Sequence, residues 1–235
     1  VTEPIPESPS LAAYRRTPLP APATPWREAA FCVIDLETTG LDPGVNEIIS
    51  FAALQIAGGR LRLNDVRYEL IRPNVMPDAQ TIRIHGLRRS DLADAPVLSE
   101  VLDGLLEALT GRVLVVHVAS VEEGFLGVAF RDHGVRLVNP VVDTAALAQE
   151  WLRRRNQPAP YPIGLTPLAQ ALGLPVHRPH HADGDALTSA QVFLALAVHL
   201  DAHEPQTVGS LQRFGRRARG RRAVLGRALA RLTGH

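Results

Sequence analysis

The chain has 235 residues, of which 46% are hydrophobic and 21% charged, at a formal net charge of +1. That is enough apolar content for one core of ordinary size with flanking tails, and it argues against two full domains. The single cysteine, Cys32, excludes an internal disulfide, and its place in an apolar run predicts a buried thiol in a reducing, cytoplasmic setting.

The opening residues lack the basic and apolar regions of a secretory signal. No apolar run approaches the ~20 residues of a membrane span. The best of them, VFLALAVHL, is broken by His199 and reads as a buried helix, so a soluble protein is expected. The near-neutral charge conceals an asymmetry. Eight arginines from Arg213 to Arg231 stand in a C-terminal segment free of acids, leaving 17 basic against 24 acidic residues in the rest. No lysine occurs, which fits the codon bias of a GC-rich genome better than any chemical demand.

Residues 1–28 carry seven prolines between Pro4 and Pro25, too many fixed φ angles and missing donors for a packed element, so a flexible arm is expected there. From Phe31 the texture changes. FCVID, EIISFAALQIA and LRLNDVRYELIRP read as three strands joined by short turns, an antiparallel meander. The period then lengthens to helical spacing. SEVLDGLLEALTG predicts an amphipathic helix, RVLVVH a buried strand, and VEEGFLGVAFRDHG a second helix. PVVDTAALAQEWLRRR reads as a brief strand running into a helix, TPLAQALG as a short helix, and DALTSAQVFLALAVHLDAH as a long one. This order implies an α/β fold, a mixed sheet flanked by helices, occupying residues 29–204.

Two acids end the first strand. Side chains alternate across a strand, so Asp35 and Glu37 of VIDLETTG face one side while Leu36 turns to the other. Paired carboxylates repel, and one takes up a proton unless a cation holds both ionised. Hard divalent metals bind through one or two carboxylates together with substrate phosphates. A bare Asp-x-Glu is more often a solvated turn. The full string D-x-E-T-T-G, however, is expected by chance on the order of once in several thousand chains of this size.

That string resembles the first motif of the DEDDh exonucleases, the family of the DNA polymerase III epsilon subunit, RNase T and oligoribonuclease. The resemblance covers about residues 30–200 and continues in RPNVMPDAQTIRIHGL, similar to a family segment ending in an Ile-His-Gly loop, and in VLVVHVASVEEGFL, similar to the second motif. That motif commonly reads His-Asn-Ala-x-Phe-Asp. Here HVASVE has Val118 for Asn, Val121 for Phe and Glu122 for Asp. Glutamate keeps the charge and adds a methylene; Glu123 would point about 100° away on a helix.

The third motif, His-x-Ala-x-x-Asp, stands as HHADGD, with His180, Ala182 and Asp185. Helical periodicity alone would pair His181 with Asp185, four residues on. The family pattern selects His180 and needs it on the loop before the helix.

The resemblance implies an RNase H-like fold with a five-stranded sheet, and a 3′ to 5′ exonuclease releasing nucleoside monophosphates from DNA or short RNA. By the same resemblance Asp35, Glu37, Glu122 and Asp185 hold two divalent ions, Mg²⁺ or Mn²⁺, and His180 acts as general base. Thr38, Thr39, His85 and Gly86 would line the pocket for the terminal nucleotide. The implied partners are a nucleic acid with a free 3′ end and a polymerase or other protein. A module that has lost turnover and only binds is the alternative, motivated by the altered second motif.

Residues 205–235 form the basic tail, with Leu211, Phe214, Leu225, Leu229 and Leu232 at helical spacings among arginines. Contact with nucleic acid is the favoured reading. An acidic membrane surface, docking on the acidic body and disorder stay open beside it.

Overall fold

The computed structural model describes residues 8–157, 159 and 161–218. One five-stranded sheet, in the order β3-β2-β1-β4-β5, organises the molecule. β1 (Ala30–Thr38), β2 (Ile48–Ala57) and β3 (Arg60–Leu70) make the antiparallel meander, and β4 (Val113–Val116) and β5 (Val141–Asp143) extend it in parallel. The hairpin between β2 and β3 turns on Gly58 and Gly59, both with positive φ, the backbone that a two-residue turn of this hand requires.

Alternation along β1 divides the core. Phe31 and Val33 face α8 (Ala182–Asp201), where Ala186, Ala190 and Phe193 meet them. Cys32 and Ile34 face the other layer, built from α4 (Leu98–Leu109) and α5 (Ala119–Asp132), with Leu102, Leu105, Phe125 and Phe130. Each fully buried side chain of this size contributes roughly 1.5–3 kcal/mol. The Cys32 thiol is buried as expected, and that burial pushes its pKa up to about 12. The remaining helices are α1 (Pro9–Arg16), α2 (Ala79–His85), α3 (Arg89–Leu92), α6 (Thr144–Arg154), α7 (Leu165–Ala171) and α9, over 208–218.

Both ends depart from expectation. In place of a loose arm, α1 packs on α4, burying Leu11 and Tyr14. Pro9 sits in the first turn, where its missing N–H costs nothing, and the Ser8 hydroxyl caps Leu11 N–H. The Tyr14 hydroxyl donates to Asn139 Oδ1 at 2.6 Å and accepts from Val138 N–H at 3.1 Å. The chain then runs to the opposite side of the molecule, where Pro22 and Thr24 carbonyls accept from Gly209 and Val208 N–H at 2.8 and 3.0 Å.

The start of the expected tail is likewise part of the body. Val208, Leu211, Phe214 and Ala218 of α9 are buried in the α8 core, while Arg213, Arg216 and Arg217 face outward. The apolar face outweighs the arginines because they occupy the other side of the same helix. Residues 1–7 and 219–235, including Leu225, Leu229 and Leu232, lie outside the described residues. Among the described residues no helix is long and apolar enough to cross a membrane.

Candidate active site

Parallel strands place their carboxyl ends together, and helices that follow such strands begin there. Asp35 and Glu37 close β1 on its α8 face, opposite Ala52 and Ser50 of β2, whose small side chains leave room for α8 to approach. Asp185, in the first turn of α8, completes the group. Ligand atoms of Asp35, Glu37 and Asp185 all lie within 4.8 Å of one another.

The first turn of α8 reaches the sheet because Gly184 lets the preceding loop close in: a Cβ there would collide with the His177 and Arg178 carbonyl oxygens. The Thr188 hydroxyl secures the same loop, accepting from His177 N–H at 3.1 Å and donating to Gly184 O at 2.9 Å.

Glu122 arrives from the other layer, one turn into α5. It is buried, and its Oε2 has no hydrogen-bond partner. Burial first, then the charges of Asp143 and Glu123, raise its pKa well above the ordinary glutamate value, against a backbone hydrogen bond. Asp35 is raised well above its ordinary value by burial, then by the charges of Glu122, Asp185 and Glu37. Glu37 is pushed up to about 7, by burial and then by Asp185. Asp185 is raised by burial, with the His180 N–H and the His180 and His181 charges opposing. None of the ion pairs among the described residues involves these four acids. Three converging carboxylates, Asp35, Glu37 and Asp185, which no arginine pairs among the described residues, with the buried Glu122 outside that trio but near enough for its charge to raise Asp35, fit hard divalent ions held by oxygen.

The local backbone that delivers Glu122 is strained. Val118, the N-cap of α5, lies at φ 65, ψ 69, a left-handed conformation that a β-branched residue adopts at a cost of about 1–3 kcal/mol. No side chain of its own caps the helix. Instead Asp143, which caps α6 through Ala145 and Ala146 N–H at 2.9 and 3.2 Å, also accepts from Val118 and Ala119 N–H at 3.3 and 3.0 Å. Sequence reasoning did not find Asp143. An Asp ahead of TAALAQ signals an N-cap, but nothing local points to its second helix.

His180 stands on the loop two residues before α8 and is exposed, with φ 61; its N–H donates to Asp185 Oδ2 at 2.8 Å. His181 is the N-cap of α8, and its ring lies against Gly86, with Cε1 3.9 Å from where a Cβ would be. His85 and Gly86, expected on a loop, are the last residue and left-handed cap of α2, which Asp78 opens by accepting from Gln80 and Thr81 N–H. His85 is buried. Its Nδ1 accepts from Leu87 N–H at 3.0 Å, and its Nε2 has no partner. Burial, then the His181 charge, lowers its pKa.

Thr38 donates to Gly40 O at 2.6 Å, and the Thr39 hydroxyl accepts from Glu47 N–H at 3.0 Å. Both threonines therefore shape the loop beside the acids. A separate cleft of about 430 Å³, lined by Pro43, Glu47, Arg72, Phe125 and His133 among others, contains none of the four acids.

Residues 32–193 match the family model described as Exonuclease. A DNA polymerase III PolC-type protein of Thermotoga maritima is 35% identical over 168 residues, which is 71% of this chain and 12% of that protein. A DNA polymerase III subunit epsilon-like protein of Rhodobacter capsulatus is 32% identical over 191 residues, 80% of this chain and 26% of the relative. The chain thus spans only about an eighth to a quarter of these relatives.

Among solved structures, Exonuclease X in complex with 5′ overhanging duplex DNA superposes with TM-score 0.59 at 20% identity, covering 78% of this chain and 98% of that one. E. coli Exonuclease I in complex with a dT13 oligonucleotide gives TM-score 0.65 at 13% identity over 74% of this chain and 42% of that one. The sheet order and these neighbours establish the RNase H-like fold expected from the sequence.

Proposed function

The chain belongs to the exonuclease family whose model it matches, and on that premise we propose that it is a divalent-metal-dependent 3′ to 5′ exonuclease, acting on DNA or short RNA and releasing nucleoside monophosphates. The observation that carries this reading is the convergence of Asp35, Glu37 and Asp185 within 4.8 Å, with Glu122 buried close enough for its charge to raise Asp35. These four acids would hold two ions, Mg²⁺ or Mn²⁺. Once bound, two such ions supply positive charge for both the attacking and the leaving oxygen of an in-line phosphoryl displacement.

The chain's own groups do the rest. His180, exposed at the rim on a loop tied to Asp185, takes the proton from the attacking water; imidazoles exchange protons near neutral pH. The Thr38 hydroxyl, a donor to Gly40, keeps acceptor capacity, and the Thr39 hydroxyl, an acceptor from Glu47, keeps a proton to donate. Both can hold the terminal nucleotide, with His85 and Gly86 walling the same pocket. Outward-facing Arg213, Arg216 and Arg217 on α9 supply a salt-sensitive contact to phosphates. The polymerase names of the relatives motivate a polymerase or other replication protein as partner, in the cytoplasm.

The test is hydrolysis of 5′-labelled oligonucleotides by the full chain with Mg²⁺ or Mn²⁺. Ladders shortening from the 3′ end, abolished in Asp35→Ala, are expected. No product from single-stranded DNA, duplex DNA or short RNA with either metal would overturn the proposal. The strained Val118 and the Glu122 replacement favour a second reading, a binding module without turnover. Oligonucleotide binding that persists while no monophosphate appears would select it.

A further inference from the structure

We infer that Asp143 is a positioning residue for this site: by holding Val118 in its left-handed conformation it fixes the first turn of α5 and so the place of Glu122. The inference rests on the nuclease reading above. Asp143 lies at the end of β5, 1% exposed, between the starts of α5 and α6. Its Oδ1 accepts from Val118, Ala145 and Ala146 N–H; its Oδ2 accepts from Ala119 N–H and from the Tyr161 hydroxyl at 2.6 Å.

Five donors use up the roughly four lone-pair sites of a carboxylate, so Asp143 has nothing left for an ion or a water. Glu122 is the opposite case, since its buried Oε2 has no donor. The two acids therefore divide the work. One is saturated by four backbone N–H groups and the Tyr161 hydroxyl and bridges the starts of two helices; the other keeps a buried oxygen with no donor, near enough for its charge to raise Asp35.

Two of the five bonds carry the inference. Those to Ala145 and Ala146 form an ordinary helix cap. Those to Val118 and Ala119 cross to another helix, and they engage the N–H groups on either side of the Val118 torsions that an L residue with a branched Cβ resists. Without that grip Val118 relaxes to a right-handed or extended backbone, and α5 begins in a different register. Glu122 follows four residues later, with no hydrogen bond at Oε2 to hold it. α9 closes over the clamp: a Cβ on Gly215 would stand 3.5 Å from Asp143 Cβ.

The experiment uses the full chain and four forms: wild type, Asp143→Asn, Asp143→Asn with Val118→Asn, and Tyr161→Phe. Mn²⁺ affinity is measured by calorimetry without substrate, turnover on an oligonucleotide, and amide exchange over residues 118–122. In Asp143→Asn, Mn²⁺ affinity and kcat are expected to fall by about tenfold or more, the range seen when an outer partner of a metal ligand is lost. KM should stay within a factor of two, and exchange over 118–122 should rise.

Asparagine tolerates the left-handed region, so adding Val118→Asn should recover about threefold or more of the lost affinity. Tyr161→Phe, which removes one donor and leaves the backbone bonds, should shift Mn²⁺ affinity in the same direction by less, and it serves if Asp143→Asn does not fold.

A lower Tm with wild-type Mn²⁺ affinity, kcat and exchange over 118–122 would make Asp143 a plain helix cap and overturn the inference. So would the absence of any recovery by Val118→Asn. A wild type that binds Mn²⁺ but hydrolyses nothing sinks the nuclease reading alone, because affinity and exchange still decide for or against the clamp.

Discussion

Crowding carboxylates without a cation should make this protein lose stability as pH rises, and a divalent ion should restore it. Glu37 is raised from 4.5 to about 7. Between those values the folded chain holds a proton that the unfolded chain has released, so stability falls through that window and levels off above about pH 7. The shift converts to roughly 3 kcal/mol at about 1.36 kcal/mol per unit, and to about 2 kcal/mol once discounted for the solvent that reaches this half-buried side chain.

Asp35 and Glu122 act in the same sense. The buried His85 and the half-buried His117, which follows β4, oppose them: their lowered pKa values remove stability on the acid side. The informative quantity is therefore the difference between wild type and the double variant Asp35→Asn with Glu37→Gln, in which the histidines cancel.

Thermal melting in EDTA at pH 5, 6, 7 and 8 should show the double variant gaining on wild type by about 4–8 °C between pH 5 and 8, at ~2–4 °C per kcal/mol for a chain of this size. Mn²⁺ at ~100 times its Kd stabilises the folded form by about 2.7 kcal/mol. It should raise the wild-type Tm at pH 8, raise it less at pH 5 where protons compete, and leave the double variant unmoved. A Tm difference that does not change with pH, or an equal Mn²⁺ response in both proteins, would refute the picture of acids held apart from any internal cation.

Glu122→Asp should preserve or raise turnover, whereas Glu122→Gln should depress it by about tenfold or more, the loss typical of a disturbed metal shell; equal rates for wild type and Glu122→Gln would remove this residue from the ligand set. Tyr14→Phe should lower stability by about 1–3 kcal/mol in denaturant unfolding, because Asn139 Oδ1 and Val138 N–H lose a buried partner; no change would mean α1 does not contribute. Replacing Arg213, Arg216 and Arg217 by Glu should weaken oligonucleotide affinity and flatten its salt dependence by about 0.7 per lost phosphate contact on a single strand. An unchanged salt slope in fluorescence anisotropy would exclude α9 from the interface. Deleting everything after Glu204 cannot make that test cleanly, since it also removes the buried Leu211 and Phe214.

What the sequence revealed and what it hid follow one division. The sheet was legible because alternation is a property of a few consecutive residues, and so was the pairing of Asp35 with Glu37, which needs only the strand's own period. His180 was placed on a loop before its helix by motif register, where periodicity alone would have chosen His181.

α2 was missed although PDAQTIRIHG contains both its cap, Asp78, and its left-handed stop, Gly86. A single apolar turn between two punctuation marks has too little period to detect. α1 was missed because proline count outweighed proline position; a Pro in a first turn is a start signal rather than a break. The burial of Leu211 and Phe214 was hidden by the arginines between them, since composition averages over faces that a helix keeps apart.

Asp143 illustrates the harder limit. Its bonds to Ala145 and Ala146 follow from two or three residues of sequence, whereas those to Val118 and Ala119 cross 25 and 24 positions and exist only because β4 and β5 lie side by side in parallel. Parallel neighbours bring the starts of their following helices together, so an acid that caps one can grip the other. A β-branched residue at the strained end of α5 is tolerable only with that grip in place. The oddity at Val118, visible in the sequence as a departure from a motif, becomes intelligible only through a residue that no motif names.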